Sequence, residues 1–195
     1  DAIIEGRINE VILVSEALHE QHIARISSQI SGSRDRIRII LISGPSSSGK
    51  TTFSKRLSIQ LLAQGISPFP LEMDNYFVDR AKTPRDENGE YDFEAFEALD
   101  NDKLNRDFEG LINGNRIQIP KYNFKTGRQE LGDVVQLASG QMIILEGIHG
   151  LNPALIPDIP DEHIFRIYVS TLTQLNLDRH NRISTTDTRL IRRIV

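Results

Sequence analysis

The 195-residue sequence predicts an α/β fold in which a mostly parallel sheet carries helices on both of its faces. Four short apolar runs have the near-continuous hydrophobic character of strands that are buried on both faces. These runs occupy residues 36–43, 67–73, 141–147 and 163–170. Behind the first run, Phe53, Leu57 and Leu61 recur at helical spacing, and Gly65 follows as a C-cap. Strands that alternate with helices are typical of a parallel sheet with right-handed crossovers.

The N-terminal part of the chain has a different pattern. Residues 7–30 place apolar side chains at roughly helical spacing, which predicts one or two helices. We therefore expect an N-terminal helical segment, 1–33, that connects to an upstream domain, and a main domain, 34–195. A helix packed directly on the main domain is the alternative. Because the sequence stops inside a helical-looking stretch, we expect the main domain to be C-terminally truncated.

A smaller element lies between the second and third apolar runs. Residues 79–102 are polar and acidic, so we expect irregular structure there, followed by a helix around 102–114. Two short stretches rich in β-branched residues, 116–120 and 134–138, flank a polar segment and predict an antiparallel β-hairpin.

Composition limits the classes of partner. With 23 Lys and Arg against 27 Asp and Glu, the formal net charge of −4 offers no general attraction for nucleic acid. The absence of cysteine excludes disulfides and thiolate metal sites, and the five histidines show no metal-ligand spacing. No apolar run approaches the roughly 20 residues that span a bilayer. We expect a cytoplasmic protein without a membrane partner or a transition metal.

The strongest motif follows the first strand. The stretch "GPSSSGKTT" matches G-x-x-x-x-G-K-[ST] at Gly44, Gly49, Lys50 and Thr51. Glycines let successive backbone N–H groups point at phosphate oxygens, and the helix that follows adds the positive end of its dipole. A Gly/Ser loop that only joins a strand to a helix is the alternative, but the buried strand before it and the amphipathic helix after it favour nucleotide binding. The predicted nucleotide loop comprises Gly44, Pro45, Ser46, Ser47, Ser48, Gly49, Lys50, Thr51 and Thr52.

Carboxylates follow two other strands. Ligands of open α/β sheets collect at the carboxyl ends of strands, so Asp74 and Glu146 are candidates for the same site. Glu146, with the Thr51 hydroxyl, suits a Mg²⁺ site below the phosphates, and Asp74 suits acceptance of a proton from an attacking hydroxyl. The alternatives are a helix-capping carboxylate for Glu146 and a turn residue for Asp74.

Together with the loop, three further stretches resemble the uridine kinase and phosphoribulokinase family of P-loop kinases. They are "MDNYF" at 73–77, "IPKYNF" at 119–124 and "IILEGI" at 143–148, and the resemblance runs from about Ile37 to the C-terminus. It implies a P-loop NTPase-type sheet with the hairpin as a small substrate element. It also implies an ATP- and Mg²⁺-dependent kinase that phosphorylates a hydroxyl of a small acceptor, in first place the 5′-hydroxyl of a nucleoside.

The resemblance also implies roles for individual residues. Asp74 matches a general base and Glu146 a magnesium-associated glutamate, while Lys50 holds the phosphates. Arginines in the lid region neutralise charge on the transferring phosphoryl group; Arg179 and Arg182 match this region, and Arg189, Arg192 and Arg193 match it more loosely. The implied substrate-binding residues are Tyr76, Asp92, Tyr122 and Arg128.

Two departures leave the acceptor open. Gly127 stands where uridine kinases carry a base-contacting histidine, and Tyr76–Phe77 inverts their Phe-Tyr order. A kinase for a sugar phosphate or another small alcohol, and a nucleotide switch or ATPase without an acceptor, are the rival predictions. Cations around Tyr122 also suit single-stranded nucleic acid, but a substrate-facing loop explains them better. We expect a nucleoside or sugar-like alcohol as partner and leave a homo-oligomer open.

Overall fold

The computed structural model describes residues 4–171 and 183–194. Its centre is a four-stranded sheet in the order β2-β5-β1-β6, in which every pair of neighbours is parallel. The strands are β1 (Ile39–Ser43), β2 (Pro68–Glu72), β5 (Met142–Glu146) and β6 (Ile164–Tyr168). The predicted α/β class is confirmed, and each strand lies within one of the four apolar runs.

Strand β1 divides the core between the two faces of the sheet. Its five residues are all buried, and successive side chains of a strand point to opposite faces. Ile39 and Leu41 join a cluster with helix α3 (Asn101–Ile112). Ile40 and Ile42 join a second cluster with helices α1 (Ile8–Ser31) and α2 (Lys50–Ala63). Helices on both faces therefore explain why the strand reads as a continuous apolar run.

Helix α1 (Ile8–Ser31) is one continuous helix that packs beside α2 (Lys50–Ala63). Its C-terminal half belongs to the core, since Ile23 and Ile30 are both 0% exposed. Its N-terminal half leaves several apolar side chains exposed; they are Ile8, Ile12, Leu13, Val14 and Leu18. Half of the predicted N-terminal segment thus packs on the main domain, and the upstream domain stays a prediction.

The hairpin lies on the α3 side of the sheet and consists of β3 (Ile117–Asn123) and β4 (Arg128–Val135). It is longer than predicted, and only residues 124–127 form its turn. The polar stretch read as a loop is mostly strand, because one face of the hairpin is exposed. Exposed Lys121 alternates with buried Tyr122, so polarity here reflects pleating rather than a loop.

Short turns connect the remaining elements. Residues between β2 and α3 form three 3-10 helices, Met73–Tyr76, Arg80–Lys82 and Phe96–Ala98, joined by irregular backbone. Another 3-10 helix, Asp161–His163, leads into β6, and helix α4 (Thr185–Ile194) follows β6 in the chain. Across residues 4–171 and 183–194, no helix combines the length and apolar character needed to cross a membrane.

Candidate active site

The loop between β1 and α2 has the backbone shape that the motif predicts. Gly49 adopts a left-handed conformation (φ 95°) immediately before α2, and Ser47 also has a positive φ of 60°. The Ser48 N–H donates to the Pro45 carbonyl at 3.1 Å, which closes the curl. A Cβ at Gly44 would lie 2.4 Å from the Val169 carbonyl oxygen, so only glycine fits between β1 and the end of β6.

The N-terminus of α2 opens toward the cavity that this loop borders. No side chain caps the helix at Gly49, which leaves its first N–H groups available to an anion together with the positive end of the helix dipole. Lys50 donates its Nζ to the Pro45 carbonyl at 3.2 Å. Burial lowers the pKa of Lys50, while Glu146 and Asp74 oppose that shift. The loop can therefore present backbone donors and one cation to a polyphosphate.

Thr51 and Glu146 both line this cavity and contact each other. The Thr51 hydroxyl donates to Glu146 Oε1 at 2.6 Å, and Glu146 Oε2 is buried without a hydrogen-bond partner. Burial raises the pKa of the Glu146 carboxyl, which its Thr51 hydrogen bond and Lys50 oppose. An orphaned carboxylate oxygen beside a hydroxyl fits Mg²⁺, which uses few protein ligands and takes the rest from water and phosphates.

Asp74 lines the same cavity, whose volume is about 190 Å³. Burial raises the pKa of the Asp74 carboxyl; Lys50 opposes this shift and Glu72 adds to it. The cavity therefore brings together a phosphate loop, a hydroxyl–carboxylate pair and a second carboxylate. Its lining consists of Ser46, Ser47, Lys50, Thr51, Glu72, Asp74, Glu146, Gly147 and Ile148.

The sequence interpretation missed Glu72. This residue ends the edge strand β2 and pairs in register with Glu146 on β5, which places both carboxylates at the same end of the sheet. The charge of Glu72 raises the pKa of both Asp74 and Glu146. Functional side chains of such sheets collect at the carboxyl ends of strands. Applied to Glu72 as well as to Asp74, this rule could have identified Glu72 from the sequence.

Comparisons with known proteins agree with this site. The model of the phosphoribulokinase / uridine kinase family matches residues 39–186, which include the loop, Asp74 and Glu146. The chain belongs to the phosphoribulokinase and uridine kinase family.

Individual relatives support this membership. A uridine kinase from Staphylococcus haemolyticus is 31% identical over 141 residues, which cover 72% of this chain and 65% of the relative. One from Ligilactobacillus salivarius is 32% identical over 127 residues, with coverage of 65% and 58%. The chain thus spans less than two thirds of the length of these curated relatives.

Solved structures show the same family fold. A structure described as a possible uridine kinase from Bacillus stearothermophilus has 30% identity and a TM-score of 0.54, covering 68% of this chain and 70% of that one. A kinase structure from a Silicibacter species has a TM-score of 0.58 and covers 88% of this chain and 81% of that one, but its 18% identity shows the fold alone.

An aromatic cluster borders the segment that carries Asp74. We use this name for Phe77, Phe93, Tyr122 and Phe124, whose ring centroids lie 5.0–6.4 Å apart in edge-to-face arrangements. Tyr122, at 4% exposure, is its buried centre, whereas Phe124 is 58% exposed. The Tyr122 N–H donates to Asn75 Oδ1 at 3.4 Å, so the hairpin is joined to the residue after Asp74.

Tyr76 is not brought to the cavity. The 3-10 turn Met73–Tyr76 directs Asp74 to the cavity and Tyr76 into the core, where Tyr76 is 0% exposed. Burial and the nearby Asp107 of α3 raise the pKa of the Tyr76 hydroxyl. The expected substrate contact from Tyr76 is therefore corrected, because the core encloses its side chain. Its neighbour Phe77 is also buried but contacts Tyr122 of the aromatic cluster, with ring centroids 5.6 Å apart.

Asp92 and Arg128 lie near the aromatic cluster but do not line the 190 Å³ cavity. Asp92 Oδ1 accepts N–H groups from Glu94 and Ala95 at 2.9 and 3.1 Å, so it shapes its own turn. The charge of Glu94 influences Lys50, which places this turn within electrostatic range of the phosphate loop. Arg128 is exposed at the first position of β4.

The arginines of the expected lid fall into two groups. Arg179 and Arg182 lie outside the described residues. In helix α4, by contrast, three arginines contact the phosphate loop: Arg189 donates to Ser46 O at 2.9 Å, Arg192 to Ser48 O at 2.7 Å and Arg193 to Ser47 Oγ at 3.2 Å. Helix α4 thus brings cationic side chains to the phosphate-binding end of the sheet.

Proposed function

We propose that this protein is an ATP- and Mg²⁺-dependent kinase that transfers the γ-phosphoryl group to the 5′-hydroxyl of a nucleoside. The observation that carries the proposal is the shared cavity of Lys50, the Thr51–Glu146 pair and Asp74. Family membership and similarity to proteins named uridine kinases support it. Each part of the reaction has a group in this cavity.

The phosphate loop holds the donor. Backbone N–H groups of the loop and the α2 N-terminus bind phosphate oxygens, and Lys50 exchanges its contact with Pro45 O for the β- and γ-phosphates. Thr51 and Glu146 would hold Mg²⁺, whose positive charge would offset the negative charge of the phosphates. The arginines of α4 lie at the loop and can neutralise charge that grows during transfer, as we also propose for Arg179 and Arg182.

Asp74 serves the acceptor. Its carboxylate accepts the proton of the attacking hydroxyl as the new O–P bond forms and the bond from the γ-phosphorus to the ADP oxygen breaks. A pKa raised by burial makes Asp74 a stronger base than an ordinary aspartate, and Asp74 lines the same cavity as Lys50, which holds the donor.

The aromatic cluster suits the body of a nucleoside. Phe124 offers an exposed ring on which a base can stack, and Tyr122 forms the floor of the cluster. Asp92 has a second carboxylate oxygen beyond the one that shapes its turn, which suits ribose hydroxyls. We propose Asp92, Tyr122 and Arg128 as residues on the acceptor side.

Replacement of Asp74 by Asn tests the proposal. We expect turnover of a nucleoside to fall by about 10²–10⁴-fold, because the general base is lost, while ATP affinity changes little. ADP release with a nucleoside panel and ATP binding by calorimetry measure the two quantities. Asp35→Asn, an exposed carboxylate that precedes β1 whereas the loop follows it, is the matched control. Equal loss of turnover and ATP binding in Asp74→Asn would refute the assignment of the base.

A sugar-phosphate kinase is the second candidate. Gly127 provides no side chain to read a base, and the Arg80 guanidinium beside it would suit an anionic acceptor. An acceptor panel that includes a pentose phosphate separates the two functions. A switch without an acceptor is disfavoured, since the space beside Asp74 is open rather than filled by side chains.

A further inference from the structure

Met73 and Gly147 contact each other directly beside the two carboxylates that the proposed reaction uses. Met73 precedes Asp74 in the chain, and Gly147 follows Glu146. A Cβ built on Gly147 would overlap Met73 Sδ and would lie 2.7 Å from both Met73 Cβ and Cγ. Carbon atoms pack at about 3.5–4.0 Å, so no side chain fits there. Gly147 has no positive φ, so what requires a glycine at this position is the space that Met73 occupies.

Neither partner of this contact is free to move away. The Gly147 N–H donates to Ile42 O at 3.1 Å, which joins Gly147 to β1. Met73 is 1% exposed and belongs to the core cluster on the α3 side of the sheet. The close approach also involves Met73 Cβ, which is bonded to the backbone, and not only the flexible end of the side chain. A side chain at position 147 would therefore displace the Met73 backbone, and Asp74 with it.

The two carboxylates are held in the cavity by different means. Glu146 lies in strand β5, and its Oε1 accepts the Thr51 hydroxyl. By contrast, no residue within 4–171 or 183–194 donates a hydrogen bond to the Asp74 carboxylate. Asp74 directly follows Met73 in a four-residue 3-10 turn, so its place in the cavity depends on the backbone of that turn. The contact between Met73 and Gly147 joins this backbone to the residue after Glu146.

From these contacts we propose that Gly147 and Met73 are positioning residues, whose contact sets how far the general base Asp74 lies from the phosphate-binding side of the cavity. The inference rests on the proposed kinase function, in which Asp74 accepts the proton of the attacking hydroxyl. Transfer requires the reacting atoms to lie about 3–3.5 Å apart and in line, and a misplacement of about 1 Å can lower the rate by about 10²-fold. The contact therefore acts on kcat through Asp74, without touching the substrate.

Gly147→Ala is the first test. We expect kcat with a nucleoside to fall by about 10²-fold, because the added methyl group displaces Met73 and Asp74. Affinity for ATP, measured by calorimetry, should change little, since the phosphate loop and Lys50 keep their places. Gly32→Ala is the matched control and should change neither quantity. Gly32 has a φ of −64°, and a Cβ there would lie 3.4 Å from its nearest neighbour, an ordinary contact.

A double variant separates positioning from general damage to the core. Met73→Ala removes the Sδ and Cγ atoms that the new methyl group would meet, so a smaller shift relieves the remaining approach to Cβ. Gly147→Ala combined with Met73→Ala should therefore have a kcat about tenfold higher than Gly147→Ala alone. Independent damage would add instead, and the double variant would then be the less active one. Thermal unfolding of each variant measures stability separately from kcat.

Met73→Leu keeps the comparison available should Gly147→Ala not fold. Leucine conserves the volume of the core but branches at Cγ, one of the atoms that border Gly147. We expect kcat to fall by about threefold to tenfold while ATP affinity is kept, because a small displacement of Asp74 suffices for such a loss. An unaltered kcat in this variant would contradict the inference.

The outcomes distinguish this inference from the proposed function. If a nucleoside is phosphorylated but Gly147→Ala keeps the wild-type kcat, loses ATP affinity equally, or is not improved by Met73→Ala, the inference is overturned and the kinase function stands. If a pentose phosphate is the acceptor instead, the nucleoside assignment is overturned, and loss and rescue of kcat with that acceptor still support the inference. If the unaltered protein phosphorylates no acceptor of the panel, both are overturned.

Discussion

The carboxylates of Glu72, Asp74 and Glu146 and the ammonium group of Lys50 line one cavity and influence one another's pKa. Burial raises the pKa of Asp74 and Glu146 and lowers that of Lys50. The attraction between Lys50 and these two carboxylates opposes all three shifts. Glu72 adds negative charge from the strand end without a described hydrogen bond to either of the other two carboxylates. At the scale of single residues, Glu72 therefore tunes the site.

Glu72→Gln should shift the pH dependence of turnover. Removing its charge lowers the pKa of Asp74, because a neighbouring anion no longer disfavours the ionised carboxylate. The acid limb of kcat therefore moves to lower pH, which a pH–rate profile measures. Glu87→Gln, an exposed carboxylate on the 79–102 segment, should leave the limb in place. A shift to higher pH would contradict the proposed influence of Glu72.

Asp74→Asn should raise Tm at neutral pH even as it removes turnover. The folded-state pKa of Asp74 lies above its ordinary value, so the folded protein binds this proton more tightly than the unfolded chain does. Stability consequently falls as the pH rises through that interval, and an uncharged Asn avoids the loss. Thermal unfolding at pH 7, with Asp35→Asn as the comparison, measures the change. A lower Tm for Asp74→Asn alone would argue that the carboxylate stabilises the fold.

At the scale of elements, helix α1 joins α2 by two kinds of contact. Ile23 is completely buried in the core cluster beneath the sheet, whereas Arg56 of α2 makes partly exposed ion pairs with Glu16 and Glu20. Burial of an apolar side chain removes its whole surface from water, which stabilises the fold. An exposed ion pair is only slightly more favourable than the same two charged groups hydrated separately. The apolar contact should therefore dominate.

This ranking can be measured. Ile23→Ala should lower the free energy of unfolding by about 2–5 kcal/mol through lost burial and a residual cavity. Arg56→Met, which keeps the aliphatic stem, should cost about 1 kcal/mol or less. Urea unfolding of both variants measures the difference. If the Arg56 variant proved the more damaging of the two, the ion pairs rather than the core would hold α1 in place.

At the scale of the molecule, the parallel sheet gathers the site. Strands β1, β2 and β5 are neighbours and all end on one side, so the phosphate loop, Glu72 and Glu146 meet there although they are distant in the chain. Helix α1 closes the opposite side of the core, over Ile40 and Ile42. The predicted boundary at residue 33 therefore lies between helix α1 and the sheet, although α1 covers one face of that sheet.

Two N-terminal truncations test this role of α1. Deletion of residues 1–31 should lower Tm strongly or cause aggregation, because it removes Ile23 and Ile30 from the core. Deletion of residues 1–14 should leave Tm nearly unchanged, because the described residues among them, 4–14, have mostly exposed side chains. Thermal unfolding compares the two. If the protein lacking residues 1–31 unfolded at the wild-type temperature, α1 would be an appendage, as expected of a connecting segment.

The sequence by itself determined the α/β class, the strands and the phosphate loop. These features depend on residues that are close together in the chain. The loop needs a glycine at position 49 because the backbone there is left-handed. The buried strands are identified by the length and β-branching of their apolar runs. The hairpin was predicted too, but its length was not, because an exposed pleated strand has the polarity of a loop.

The sequence also predicted that Lys50, Thr51, Asp74 and Glu146 share a site, but only the tertiary structure decided where Glu72, Tyr76 and Arg80 lie. Glu72 meets Glu146 through strand register, Tyr76 enters the core because its 3-10 turn points it there, and Arg80 lies over Gly127 because the hairpin folds back beside it. Such contacts join residues far apart in the chain, and no local periodicity encodes them. They follow from how the elements pack, which the order of the strands and the shape of the turns set together.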